Sequence, residues 1–328
     1  MRAVRANLVF VVLLLAVSAC AGTGRPVDLA NVTSVDRPTP VGAEENPPAS
    51  SGSSAPAPDC DPTASFRPQG DLPPAGLMPA GTTMRAIQDR GQLIAGVDQN
   101  TFLFGFRNPT TNALEGFDID IVREIAKAVF GDAGKVQFKV VTSAGRIKAL
   151  QDGDVDVVVR TMTATCDRWK DINFSAIYYM AGQRLLVDRT SKVTTLDQLG
   201  GKKVCAAKGS TSIKTIAAHP AKLIPVQVDN WSDCLIMLQQ GQVEAVSTDD
   251  TILAGMVAQD PNVKLAGPRF TEEPYGIGIP KANVDMVRYV NGVLTKIIAE
   301  GTWAEIYNRW LGQTGEQRPA PPTPVYQD

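Results

Sequence analysis

One kind of junction occurs twice in this chain. Leu150-Gln151-Asp152-Gly153-Asp154-Val155-Asp156-Val157-Val158 is echoed 88 residues later by Leu238-Gln239-Gln240-Gly241-Gln242-Val243-Glu244-Ala245-Val246. Leu, Gln, Gly, Val, an acidic residue and a closing Val recur in register. Each copy reads as a helix end, a glycine stop and a buried strand. The echo points to two α/β lobes of similar build, which suits a chain of 328 residues.

The sequence around both copies agrees. Leu93–Val97, Val136–Val141, Val155–Val159, Lys203–Ala206, Leu223–Val226 and Val243–Ser247 read as strands. Helical faces lie between them: Ile121, Val122, Ile125, Ala126 and Val129 after Phe117-Asp118, and Cys234, Leu235 and Leu238 after Asn230-Trp231-Ser232. Val287, Val290, Leu294, Ile297 and Ile298 form a further face, and Trp303, Ile306, Tyr307 and Trp310 another that reads as core. Alternating strands and helices predict mostly parallel sheets flanked by helices. In such sheets ligands sit beyond the carboxyl ends of the strands.

Polar residues cluster at those ends. One lobe offers Asp98 after Leu93–Val97, and Arg160-Thr161-Met162-Thr163 with Arg168 after Val155–Val159. The other offers Lys208-Gly209-Ser210-Thr211-Ser212 opening a helix, and Thr248-Asp249-Asp250. A guanidinium fork with backbone N–H groups at a helix start is a carboxylate receptor. A nearby Asp suits an ammonium group. Together they predict a zwitterionic ligand, an α-amino acid.

Several segments carry a family resemblance: Arg90-Gly91-Gln92-Leu93-Ile94-Ala95-Gly96-Val97-Asp98, Glu115-Gly116-Phe117-Asp118-Ile119-Asp120, Gly145-Arg146-Ile147-Lys148-Ala149-Leu150, and Met162-Thr163-Ala164-Thr165-Cys166-Asp167-Arg168. Gly209-Ser210-Thr211-Ser212 and Thr248-Asp249-Asp250 follow in order. From about Thr82 to Gly312 the chain resembles the extracytoplasmic amino-acid-binding proteins of ABC importers. These are solute-binding proteins of family 3, here nearest the glutamate/glutamine branch. The resemblance implies the two-lobed type-II periplasmic-binding fold with a two-strand hinge, for which Arg184–Asp188 and Tyr275–Ile279 are the candidates. Lobe one would then be 81–185 plus 277–312, and lobe two 186–276.

The resemblance also implies roles. Arg168 would hold the ligand α-carboxylate with the Thr163 hydroxyl and N–H and the Thr211 N–H. Asp249 and the Thr161 carbonyl would take the α-ammonium. Arg146 matches an Arg of acidic-amino-acid binders, and Asp98 an Asp of glutamine binders, so Glu or Asp and Gln or Asn all remain open as ligands. Phe102, Phe104 and Ser210 lie near the expected pocket, and Arg160 stands where the family mostly has a small residue. The implied partner is an ABC permease or a membrane sensor protein, with closure of the lobes as the signal and a monomer as the unit. A dehydratase on the same scaffold is the competing chemical reading, with Asp98 or Asp249 as its acid.

The chain ends give an address. Arg2 and Arg5 precede an apolar run from Leu8 to Val17. Ten helical residues rise only about 15 Å, half a bilayer core, which fits a signal segment over 1–19. The run ends in Val17-Ser18-Ala19-Cys20, which resembles a bacterial lipobox and would place a lipid on Cys20 at the outer face of the cell membrane. Residues 21–80 hold 12 of the 23 Pro and few large apolar residues, so 20–80 reads as an acylated tether and 313–328 as a flexible tail.

Export makes the remaining cysteines, Cys60, Cys166, Cys205 and Cys234, candidates for two disulfides with three possible connectivities. Cys205 and Cys234 fall in one lobe, which favours Cys205–Cys234 and leaves Cys60–Cys166. Lys+Arg number 32 and Asp+Glu 34, for a net charge of −2, which argues against a nucleic-acid partner. The single histidine, His219, rules out a multi-histidine metal site. No metal or cofactor is expected.

Overall fold

The computed structural model describes residues 37–47, 60–314 and 318–328. The expected signal segment, the Cys20 lipid site and residues 20–36 and 48–59 of the expected tether lie outside the described residues.

Lobe one begins with β2 (Ala64–Ser65), α1 (Thr83–Arg90), β3 (Leu93–Val97), β4 (Asn100–Thr101), β5 (Gly105–Arg107), β6 (Leu114–Glu115) and α2 (Phe117–Phe130). It continues through β7 (Val136–Val140), α3 (Arg146–Gln151), β8 (Val157–Val158), α4 (Cys166–Asp171) and β9 (Ile172–Phe174). After lobe two the chain returns to lobe one as β17 (Gly278–Pro280), α8 (Val284–Ala299), α9 (Thr302–Trp310) and β18 (Val325–Tyr326). The main sheet has the order β7-β3-β8-β17-β9. Its core is closed by the faces foreseen in the sequence, with Ile121, Val122, Ile125, Ala126 and Val129 of α2 and Trp303 of α9 all buried.

Lobe two comprises β11 (Gln183–Asp188), β12 (Lys203–Ala207), α5 (Thr211–Ala218), β13 (Ile224–Val228), α6 (Trp231–Gln239), β14 (Ala245–Asp249), α7 (Asp250–Gln259) and β15 (Val263–Ala266). Its sheet runs β1-β13-β12-β14-β11-β15, where β1 is Glu44–Glu45. Each lobe has a parallel triad at its centre, β7-β3-β8 and β13-β12-β14. The pairings that flank each triad are antiparallel, with β11 and β17 running against the triads. The sheets are therefore mixed rather than mostly parallel, because strands that follow a crossing between lobes run against the triads.

The crossing itself is a two-stranded ribbon, β10 (Tyr179–Ala181) against β16 (Glu273–Tyr275). This corrects the expected hinge. Arg184–Asp188 lies inside the lobe-two sheet between β14 and β15, as part of β11, which only Gly182 separates from the true crossing strand.

The tether expectation also needs correction. Glu44 and Glu45 pair with Gln227 and Val226 at the edge of lobe two. Residues 60–80 lie on lobe one: Ser65 Oγ donates to the Phe174 carbonyl at 2.8 Å, Asn291 Nδ2 donates to the Phe66 carbonyl at 2.7 Å, and Met78 is buried. The tail is likewise held, since Val325 and Tyr326 pair with Ala64 and Ser65 and Asp328 pairs with Arg288. Single apolar anchors between prolines suffice to dock these segments in spite of their low average hydrophobicity. Cys60–Cys166 and Cys205–Cys234 are both bonded, with Cα atoms 6.1 and 5.6 Å apart.

Candidate functional site

The carboxyl ends of both triads face one cleft. The lobes touch closely there: Gly209 has φ +74°, and a Cβ on it would come within 2.7 Å of Ala144 Cα. An outer cavity of about 650 Å³ reaches inward along Ser143, Arg146, Arg168 and Ser210. These four also line an inner, water-sized cavity of about 10 Å³ with Thr161, Thr163, Thr211, Trp231 and Asp249.

Two arginines, Arg168 and Arg146, converge on this cleft. Arg168 is placed by α4, which Thr165 caps by accepting from the Arg168 N–H at 3.3 Å. Its Nη1 donates to the Thr163 carbonyl at 2.6 Å and its Nη2 crosses to the Gly209 carbonyl of lobe two at 3.1 Å. Arg146 starts α3 but turns inward, donating from Nε to the Ser143 carbonyl and from Nη1 to the Arg160 and Thr161 carbonyls. Its Nη2 has no hydrogen-bond partner among the described residues. Burial, then the fields of Arg168 and Arg160, pull Arg146 well below the ordinary guanidinium value. A site this cationic favours an anion.

Arg160 and Asp98 answer each other rather than the cleft. They form a buried ion pair at 2.8 Å. Arg160 also donates to the Val141 carbonyl and to Ser143 Oγ. Asp98 further accepts from the Gln99 and Asn100 N–H groups and from Thr101 Oγ. Neither residue lines the inner cavity. Asp98 thus has no free oxygen for a ligand amide: Oδ1 holds the Gln99 and Asn100 N–H groups and Oδ2 holds Thr101 Oγ and Arg160.

The phenylalanines are displaced as well. Phe104 is fully buried in lobe one against Phe117, Tyr179 and Tyr275. The Phe102 ring stacks edgewise on Phe106. Ser210 caps α5, with its Oγ accepting from the Ile213 N–H and donating to the Ala207 carbonyl. The indole missing from the sequence reading is Trp231, at the start of α6 just beyond β13. Its buried Nε1 has no partner among the described residues. The strand-end rule applied to β13 as well as β12 would have found it.

Two carboxylates complete the site. Asp249 ends β14. Its Oδ2 accepts from the Tyr275 hydroxyl at 2.6 Å, and its Oδ1 is buried without a partner among the described residues. Burial, reinforced by Glu273, holds the Asp249 carboxyl well above its usual range. Glu273, on the crossing strand β16, accepts from Thr163 Oγ and Thr211 Oγ on one oxygen, at 2.6 and 2.8 Å. A threonine hydroxyl has one proton. The Thr163 hydroxyl therefore gives it to Glu273, which removes it as the expected donor to a ligand.

Thr161 has φ +40°, an uncommon conformation for a β-branched residue. Its N–H donates to Asp118 Oδ2 at 2.9 Å, and the Tyr178 hydroxyl donates to Asp118 Oδ1 at 2.8 Å. Burial raises the Asp118 carboxyl to about 7 in spite of these bonds.

A family model describing bacterial extracellular solute-binding proteins, family 3, matches residues 93–313. The chain belongs to that family. Among family members, the ABC transporter glutamine-binding protein GlnH of Bacillus subtilis is 43% identical over 230 residues, covering 70% of this chain and 84% of that protein. The glutamate-binding protein GluB of Corynebacterium efficiens is 28% identical, covering 75% and 87%. An ancestral arginine-binding protein bound to glutamine is 38% identical with a TM-score of 0.62, covering 68% of this chain and 99% of that one. The type-II periplasmic-binding architecture is common to this group and to the present chain. The match starts at β3, so the β1 and β2 segments lie outside it.

Proposed function

We propose that this family-3 binding protein takes a free polar α-amino acid between its lobes, closes on it and presents it to an ABC importer, with no chemical turnover. One observation carries the reading. A buried, unpartnered carboxylate oxygen, Asp249 Oδ1, shares a water-sized cavity with the Arg168 guanidinium. An unpaired buried acceptor is costly unless a ligand supplies a donor. An α-ammonium does so, while Arg168 and the free N–H at the start of α5 receive the α-carboxylate. Contacts from both lobes then favour the closed state. The printed names of the relatives support an amino acid as the ligand class.

The side-chain end is lined by two donor groups, the Arg146 guanidinium and the unpartnered Trp231 Nε1. With Asp98 engaged by Arg160, no carboxylate there is left to accept from an amide. The order we expect is Glu and Asp ahead of Gln and Asn, with Lys and Arg rejected by the buried like charge. Acylation at Cys20 would hold the protein at the outer face of the membrane. The test is a thermal-shift screen of the twenty amino acids, since a ligand of the native state raises the melting temperature by mass action. Stabilisation by Glu, Asp, Gln and Asn is the expected result; no shift with any of them overturns the reading.

A further inference from the structure

Glu273 belongs to neither lobe's sheet. It sits on the crossing strand β16, is 3% exposed, and one of its oxygens gathers hydroxyls from both sides of the cleft. Its other oxygen accepts from Thr271 Oγ at 2.9 Å. Thr163 moves with β16: it bridges to Tyr275, and the Ala164 N–H donates to the Pro274 carbonyl at 2.7 Å. Thr211 stands at the start of α5 in lobe two. Rotation of the lobes about the ribbon would pull on the Thr211–Glu273 bond, together with the Arg168–Gly209 and Asn100–Asn230 bonds that also cross between the lobes.

We infer that Glu273 is an interlobe clasp: its carboxylate binds Thr211 only when the lobes are together, and so sets how much of the protein is closed before a ligand arrives. The inference deepens the binding reading of the cleft and rests on it for the ligand measurements. Glu273 touches neither end of the proposed ligand and acts through closure. It also fixes both threonine hydroxyls as acceptors, leaving backbone N–H groups and Arg168 for the ligand carboxylate. A ligand whose binding-competent state is populated to a fraction f has its affinity reduced by that fraction. Loss of a charge-assisted hydrogen bond is large enough to change f by about tenfold or more.

The test uses Glu273→Ala, Glu273→Gln and Thr211→Val in the full exported chain. Small-angle X-ray scattering without amino acid reads lobe opening, and calorimetry with glutamate and glutamine reads affinity. Glu273→Ala and Thr211→Val should each enlarge the radius of gyration and weaken both ligands by the same factor, about tenfold. Their combination should add little, because both remove one bond. Glu273→Gln keeps an acceptor oxygen and should fall between. Unchanged scattering and affinity in Thr211→Val, which leaves the hinge strand intact, would overturn the clasp. So would tighter binding by Glu273→Ala, which would mark Glu273 as a competitor for the anion site. If no amino acid binds the parent protein, the binding reading fails, and ligand-free scattering still decides the clasp.

Discussion

Replacing Asp249 by Asn separates ligand recognition from folding. The amide keeps the shape of the side chain. Its nitrogen can take the place of Oδ2, because the Tyr275 hydroxyl can accept there and donate instead to Thr251 Oγ, 3.0 Å away. What is lost is the charge on Oδ1, the acceptor without a partner among the described residues. A hydrogen bond to a charged group contributes about 1.5–3 kcal/mol, and the dry cleft places this one toward the upper end. The ligand should bind about 30- to 150-fold more weakly. The unliganded protein should not suffer. Burial and Glu273 already make the Asp249 charge unfavourable, so an amide should melt at the same temperature or higher. Calorimetry with glutamate and a thermal melt of the same preparation measure both effects. A native-like variant that binds glutamate within threefold of the parent refutes the ammonium assignment.

Further outcomes follow from other parts of the structure. Arg146→Ala should weaken Glu and Asp far more than Gln and Asn in calorimetry; an equal loss for all four would put the wrong residue at the side-chain end. Removing Cys205–Cys234, which spans 29 residues, should cost about 3.5 kcal/mol in a denaturant melt by loop-closure entropy; a loss under 1 kcal/mol would contradict this. Asp118 has a folded value of about 7 against 3.8 when unperturbed. The folded state therefore holds its proton more tightly. The stability this gives is full below pH 4 and is lost as pH rises through 7, by about 4 kcal/mol in all. Asp118→Asn lacks that dependence, so urea melts should show the variant gaining on the parent from pH 4 to 7.5. A difference that does not change with pH would count against the raised carboxyl.

Much of this architecture was legible because it is written in local periodicity. The face of α2, the glycine stops before β8 and β14, and the Thr163–Arg168 and Asp249 segments are each contained in a short window. Strand ends together with the α/β alternation then place those segments at one cleft. The Arg160–Asp98 pair is not legible in the sequence because it spans 62 residues and five strands, β4 to β8, and no window shows that one cancels the other. Glu273 escaped notice for a related reason. Its partners Thr163 and Thr211 are 110 and 62 residues away. The hinge was placed a few residues late because the crossing strand and β11 are nearly continuous, and hydrophobicity does not mark where a strand changes sheets. The docked segments at 60–80 and 318–328 show that composition averages miss isolated anchors such as Phe66 and Met78.

The central claim is that Arg168 and Asp249 hold the two ends of an α-amino acid. A crystal structure of the protein grown with glutamate tests it most directly. The α-carboxylate should lie about 3 Å from the Arg168 guanidinium and the Thr211 N–H, the ammonium about 3 Å from Asp249 Oδ1, and the side-chain carboxylate against Arg146 or Trp231. Density for glutamate in the outer cavity alone, or with its α-carboxylate turned toward Arg160, would contradict the account.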